Sequence, residues 1–396
     1  MRNLRTGLAI GVAGFLAASP ASPQQGLLSL RSGTGQLPGQ YICAFRKGYE
    51  PRQCYAMEAS RVAGPAGATV LRIYDHALRG FALSATEQAV RQMLAANPQL
   101  AYCEPDQSVS LGRGASPQRG IRAQSITQPK QVTPWGVAFV NGGIPYTGGN
   151  RAWVIDTGID PRHPDLRVDR TRSRSFGRNR DWKDMHGHGT HVAGIIGARN
   201  NTIGVVGVAA GVPLVAVRVL EANGGGPVSA LIAGVDYVAA NAAPGDVANI
   251  SVAIIPSQAL DDAIRAAAAK GIRFTLAAGN FNLSAGLYSP ARVEARNVYT
   301  ISAFRQGKVR SLFSNFGNPP IDYAEPGEGV VSTWPGGGYR TLSGTSMASP
   351  HAAGILLLGP IVSGGRVTGD PDGNADIIGI RQKQRWLDDI LRRRRN

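Results

Sequence analysis

Ala152-Trp-Val-Ile-Asp156-Thr-Gly158 is the stretch on which the fold turns. Its four consecutive apolar residues leave no polar side for solvent, so it is expected as a strand buried on both faces. It ends in a carboxylate and a glycine turn. Similar apolar runs recur at residues 214–220, 247–252, 272–277 and 298–303, and residues 192–198, 228–240 and 260–270 between them carry helical patterns. Continuous apolar strands separated by helices predict an α/β fold, a doubly wound parallel sheet with helices on both faces. Such sheets bind ligands beyond the carboxyl ends of their strands, and Asp156 falls there.

The chain has 396 residues, a net charge of +16, 43% apolar residues and 17% charged ones. These proportions describe a globular protein and exclude a disordered one, and the length allows two domains. The basic excess invites nucleic acid, yet no aromatic-interleaved basic repeat accompanies it. The densest basic stretch, residues 162–183, contains Asp165, Asp169 and Asp181 and follows Asp160. It reads as a solvated surface with some preference for anions, and no nucleic-acid partner is expected. Arg2, Arg5, the apolar run 7–18 and Ser19-Pro-Ala21 form a secretory signal over residues 1–21. That run is too short to span a bilayer, and no later stretch is apolar enough. The protein is expected to be secreted, extracellular or periplasmic, with no membrane span. Cys43, Cys54 and Cys103 all precede residue 123. Their pairing stays open, and the odd count leaves at least one thiol unpaired or used between chains.

Residues 22–39, rich in Ser, Pro, Gly and Gln, read as a linker. Residues 40–110 are expected to form a small α+β domain of split βαβ, ferredoxin-like type. Its strands are placed at 41–45, 69–74, 78–83 and 100–104, and a helix at 86–96 is capped by Ser84 and stopped by Asn97-Pro98. Residues 111–130 are polar and basic, a natural linker and processing zone. Residues 131–365 hold the large α/β domain, and 366–396 form a basic tail. In that tail, residues 370–376 and the four arginines 392–395 match no familiar pattern.

Two further segments carry chemistry beside Asp156. His186-Gly-His188-Gly-Thr-His191 places a histidine at a helix start, and Ser343-Gly-Thr-Ser346-Met-Ala-Ser-Pro-His351 does the same with a serine. Serine is a weak nucleophile near neutral pH and needs a base; histidine can take its proton, and a buried carboxylate fixes the imidazole tautomer. A helix start adds N–H groups that favour a developing anion. Asp156, His188 and Ser346 fill these roles in one of the chain orders this geometry uses. Leu276-Ala-Ala-Gly-Asn280 ends another strand in an amide that can donate to an oxyanion.

The blocks around Asp156, His188, Asn280 and Ser346, spaced by 32, 92 and 66 residues, resemble the four signature blocks of the subtilisin-like serine proteases over roughly residues 135–355. The resemblance implies a peptide hydrolase working through an acyl-enzyme. It also implies a structural calcium ion (Ca2+), held by Gln131, Asp165, the Asn201 amide and the carbonyls of Arg199, Ile203 and Val205, an all-oxygen set. Ser251, Val252, Ala253, Ala277, Ala278 and Gly279 would flank the pocket for the residue before the scissile bond. Ala253 stands where the family has glycine, which narrows the mouth. Gly224, Gly225 and Gly226 would offer an edge to an extended peptide. Broad, apolar-preferring specificity is implied, with protein or peptide substrates. Residues 40–110 resemble the propeptide inhibitor domain of the same family, which implies a self-processing zymogen whose partner is its own propeptide. The chain is expected to act as a monomer.

Two other classes compete. His186, His188 and His191 could bind zinc beside Asp184, giving a metallohydrolase. A peptide-binding protein without turnover would follow if the short C-terminal part spoiled the site, because Gly359-Pro360 interrupts the helix expected from Ser346.

Overall fold

The computed structural model describes residues 35–111 and 130–383. The expected signal (1–21), most of the first linker, residues 112–129 and the four terminal arginines lie outside the described residues.

The large domain is built on a ten-stranded sheet. Ala152–Asp156 lies inside it, paired in parallel with Val247–Ile250 on one side and Leu214–Arg218 on the other. Arg273–Ala277, Val298–Arg305 and Ile321–Pro326 continue the parallel order outward from Val247–Ile250. Successive residues of one strand face opposite layers. Trp153 and Ile155 join a core with Leu231 and Val235 of helix Val228–Asn241 and with Leu260 and Ile264 of helix Gln258–Ala268. Ala152 and Val154 pack with Val192 and Ile196 of helix His188–Gly197 and with Ala353 and Leu356 of helix Thr345–Leu358. Each fully buried Leu or Ile contributes about 1.5–3 kcal/mol, so two covered faces fix this strand firmly. The doubly wound architecture is as the sequence implies.

At the C-terminal end the helix stop at Gly359-Pro360 is as expected, and the domain bound at residue 365 is corrected. The helix carrying Ser346 runs 14 residues, with Pro350 inside its first turns, and ends at Gly359. The large domain does not stop at residue 365. Ile361–Arg366 and Ile377–Arg381 form a hairpin, and the latter strand pairs in parallel with Ile321–Pro326, adding two strands to the main sheet.

The N-terminal unit has the order strand Gln36–Phe45, helix Tyr55–Ala63, strands Thr69–Tyr74 and Gly80–Ser84, helix Glu87–Ala96, and strand Leu100–Ser110. This is a βαββαβ arrangement of the split βαβ type; its four strands and second helix fall near the expected places, and helix Tyr55–Ala63 is additional to them. Thr86, rather than Ser84, caps the second helix, its hydroxyl accepting from Ala89 N at 3.2 Å. Cys43 and Cys103 sit opposite each other on adjacent strands and are joined as a disulfide; Cys54 is free and exposed. Ile42, Ala44, Tyr74 and Leu78 belong to the same apolar cluster as Leu231 and Val235, so the small unit packs onto the two helices of one sheet face. No helix among the described residues is long and apolar enough to cross a membrane.

Candidate active site

Asp156 ends its strand fully buried, and Thr157 N donates to its Oδ1 at 2.7 Å. His188 opens its helix. Its Nδ1 lies 2.9 Å from both Asp156 oxygens, so the ring's other nitrogen is left as the base. That nitrogen, Nε2, is buried and has no hydrogen-bond partner. Burial alone would lower the His188 pKa, but the Asp156 carboxylate outweighs it and the net shift is upward. The close approach depends on glycine: a Cβ on Gly189 would lie 2.2 Å from the Gly158 carbonyl oxygen.

Asp184 organises this helix start. Its Oδ1 accepts from Thr157 Oγ1, His186 N and Gly187 N at 2.9, 2.9 and 2.7 Å. Its Oδ2 accepts from Thr190 N and Oγ1 at 2.8 and 2.6 Å. A carboxylate at a helix N-terminus is favoured by the unpaired N–H groups and the helix dipole. Considered in the sequence only as a metal partner, Asp184 is a capping and positioning group.

Ser346 is the second residue of its helix, and its Oγ donates to the Ser251 carbonyl at 3.0 Å. The hydroxyl thus donates to that carbonyl and not to His188 Nε2, which has no partner. A buried network holds the helix on the sheet. Asn249 Nδ2 donates to Ser251 Oγ (2.8 Å), which donates to the Ser346 carbonyl (3.0 Å), and Asn249 Oδ1 accepts from Ser349 and Thr275 (2.8 and 3.0 Å). Asn249 was missed in the sequence. The one available signal was a lone amide inside a buried apolar strand, which must find partners.

Asn280 Oδ1 accepts from Thr345 N and Oγ1 at 2.8 and 2.9 Å. This leaves Nδ2 as the donor, close to the position of Gly344. Ala253 and Gly279 face each other across the expected pocket: a Cβ on Gly279 would lie 3.2 Å from that of Ala253. Val252, Ala277 and Ala278 are buried.

Gly225–Pro227 is a strand, and it is already paired. Ser110, Val109 and Ser108 lie opposite Gly225, Gly226 and Pro227 in antiparallel register, and Leu111 N donates to the Gly224 carbonyl at 3.0 Å. The peptide that occupies this edge is the chain's own. Glu104 of the same strand accepts from Ser257 Oγ and Gln258 N at 2.6 and 2.9 Å, at the start of helix Gln258–Ala268. Asp106 Oδ1 accepts from Ser229 N at 3.1 Å, in the first turn of helix Val228–Asn241.

The histidines do not converge as a zinc site. His188 is bound to Asp156, and His191 Nε2 lies 2.9 Å from the Arg340 carbonyl with burial lowering its pKa to about 3. Among the described residues no three His, Cys, Asp or Glu side chains are grouped to hold a metal. The calcium set around Asp165 is closed by hydrogen bonds. Asp165 accepts from Asn201 Nδ2 (2.8 Å), Val205 N (3.0 Å) and Tyr339 Oη (3.1 Å). Gln131 Oε1 accepts from Asn201 N (2.6 Å), and Asn201 Oδ1 accepts from Ile203 N (2.9 Å). Asn201 turns its nitrogen, not its oxygen, toward Asp165. As they stand these side chains do not fit a cation, although Arg199, Ile203 and Val205 share their loop.

The sequence model of the subtilase family matches residues 153–359, more than half of the chain. Alkaline serine exoprotease A of Vibrio alginolyticus is 38% identical over 320 residues, covering 78% of this chain and 57% of that protein. The extracellular serine proteinase of Thermus sp. (strain Rt41A) is 34% identical over 374 residues, covering 85% of this chain and 84% of that one. The crystal structure of a cold adapted subtilisin-like serine proteinase matches with a TM-score of 0.53 at 34% identity, covering 69% of this chain and 98% of that chain. The chain belongs to the subtilase family, the subtilisin-type serine endopeptidases.

Proposed function

We propose that this protein is a secreted, monomeric serine endopeptidase made as a self-processing zymogen, with Asp156, His188 and Ser346 as its catalytic triad. In the proposed reaction Ser346 Oγ leaves the Ser251 carbonyl and attacks the peptide carbonyl carbon while His188 Nε2 takes its proton. Asp156 holds Nδ1–H and stabilises the imidazolium. Asn280 Nδ2 and the Ser346 backbone N–H donate to the oxyanion. His188 then protonates the leaving amine, and water repeats the sequence on the acyl-enzyme. The segments 251–253 and 277–279, proposed to flank the pocket for the residue before the scissile bond, carry mostly small apolar side chains, which supports broad specificity for apolar residues. Calcium is assigned no part in these steps.

The observation that carries the zymogen reading is the pairing of strand Leu100–Ser110 with Gly225–Pro227. It lays residues 108–110 along the proposed substrate edge. Residues 112–129 hold the proposed cut. The test compares intact masses of the precursor and its Ser346→Ala variant after incubation. Cleavage of the wild type alone within residues 111–130 is expected; equal cleavage of both would assign processing to another protease. In the variant, hydrolysis of an added peptide should fall about 10⁶-fold, the size of effect found for subtilisin's nucleophile.

A further inference from the structure

The loop that joins the two C-terminal strands, residues 367–376, takes no part in the chemistry above. Its sequence Asp370-Pro-Asp372-Gly-Asn374-Ala-Asp376 sets an oxygen-bearing side chain at every second position. Calcium loops of the EF-hand type space their first ligands in this way, although the glycine and distal glutamate that complete that motif are missing here. Spacing alone makes no site, and the decisive observations concern individual atoms.

Asp376 is fully buried. Its Oδ2 accepts from Ser302 Oγ, on the central strand Val298–Arg305. Its Oδ1 is buried with no hydrogen-bond partner, and so are Asp370 Oδ1 and Asn318 Oδ1. Asp376 N donates to Asp370 Oδ2 at 3.3 Å, which brings the two carboxyl groups together. Asn318 is tied to the same loop, its Nδ2 donating to the Asn374 carbonyl at 2.8 Å. The arginines at hand do not neutralise the loop: Arg310 and Arg366 donate instead to the Gly369 and Ala375 carbonyls. Three acceptor oxygens removed from water, none with a hydrogen-bond partner, carry a large desolvation penalty unless a cation joins them.

We propose that this loop and Asn318 form a calcium site, with Asp370 Oδ1, Asp376 Oδ1 and Asn318 Oδ1 as its side-chain ligands. Two carboxylates match a divalent charge, and hard oxygen donors on an irregular loop suit calcium, whose remaining ligands here are waters on the exposed side. The contrast with the Asp165 loop is direct: there each side-chain oxygen has a donor, and here three have none. Bound calcium ties together the loop before strand Ile321–Pro326, the strand carrying Ser302 and the C-terminal hairpin, which pins the last two strands onto the sheet.

The test uses the full-length chain carrying Ser346→Ala to prevent self-digestion, stripped of metal and titrated with calcium chloride by calorimetry. Asp370→Asn, Asp376→Asn and Asp165→Asn are each added to that background. In the parent, calcium binds and raises the thermal midpoint. Asp370→Asn and Asp376→Asn are expected to remove one bound ion or weaken it by at least about tenfold, and to shrink the rise in midpoint. Asp165→Asn should leave both unchanged. Asp370 is only half buried, so its variant still decides the question if Asp376→Asn fails to fold. The proposal is overturned if the parent binds no calcium, if Asp370→Asn binds as the parent does, or if the loss follows Asp165→Asn alone.

Discussion

Replacing Glu104 with glutamine should make the docking of the N-terminal domain much less sensitive to pH. In the docked chain Glu104 is buried at the start of helix Gln258–Ala268, and burial raises its carboxyl from an ordinary 4.5 to about 7 against the lowering effect of Ser257, Ala259 and Gln258. Undocked, the side chain returns to water and to the ordinary value. The docked state therefore holds the proton more tightly. Docking is strongest below pH 4.5 and weakens as pH rises through about 7. A gap of two to three units at 1.36 kcal/mol each amounts to about 3 kcal/mol, on the order of a few hundredfold in dissociation constant. The measurement uses the Ser346→Ala precursor with an added protease site within residues 112–129, cut and labelled at the free, exposed Cys54. Fluorescence anisotropy then gives the dissociation constant of the labelled fragment at each pH. Wild type should weaken by about 10² between mildly acidic and alkaline pH, and Glu104→Gln should keep only the smaller slope left by Asp106, whose carboxyl burial in the same interface also raises. A flat wild-type curve, or an unchanged slope in the glutamine variant, would refute the reasoning.

Asn280→Ala should lower kcat about 10²–10³-fold with little change in KM, because the amide acts on the oxyanion and not on bound substrate; a matching rise in KM would assign it to ground-state binding. Cys103→Ser opens a bridge spanning 60 residues, a loop whose closure is worth about 4 kcal/mol on chain-entropy grounds; an unchanged urea midpoint for the N-terminal domain would count against this. Glu325 is fully buried with neither oxygen partnered, and burial pushes its carboxyl well above the ordinary 4.5. The folded chain then loses stability as pH climbs above that value. Glu325→Gln should accordingly raise the thermal midpoint more at pH 8 than at pH 4.5, and equal shifts at the two pH values would show that Glu325 keeps its charge.

The buried strands were legible because both their faces are apolar. Ala152–Asp156 and Arg273–Ala277 fall within a residue of the expected runs. Asp156, His188, Asn280 and Ser346 were legible because each follows a strand or opens a helix within a distinctive string. What sequence could not give was the state of the individual atoms. The Ser346 hydroxyl faces the Ser251 carbonyl, and the oxygens of the Asp165 loop are taken by N–H donors, arrangements that depend on contacts between residues far apart in the chain. The C-terminal hairpin was hidden for a related reason. Ile377–Arg381 is short and follows a polar loop, and only its place beside Ile321–Pro326 makes it part of the sheet. Helix Tyr55–Ala63 was overlooked because its first turn has no capping side chain to announce it.

The strand that pairs with Gly225–Pro227, the proposed substrate edge, is also an internal member of its own sheet, because Leu100–Ser110 pairs with Gln36–Phe45 on its other side. A competing peptide therefore cannot peel away a few residues and gain partial access; it must displace a folded domain. If the proposed zymogen reading holds, latency is lifted in a single step, and cutting the linker does not by itself lift it. Each molecule would then switch on at a random moment set by the departure or destruction of its N-terminal domain. Once one molecule is active it can digest the inhibitors of its neighbours, so a population should start slowly and then accelerate, with a lag that shortens as protein concentration rises.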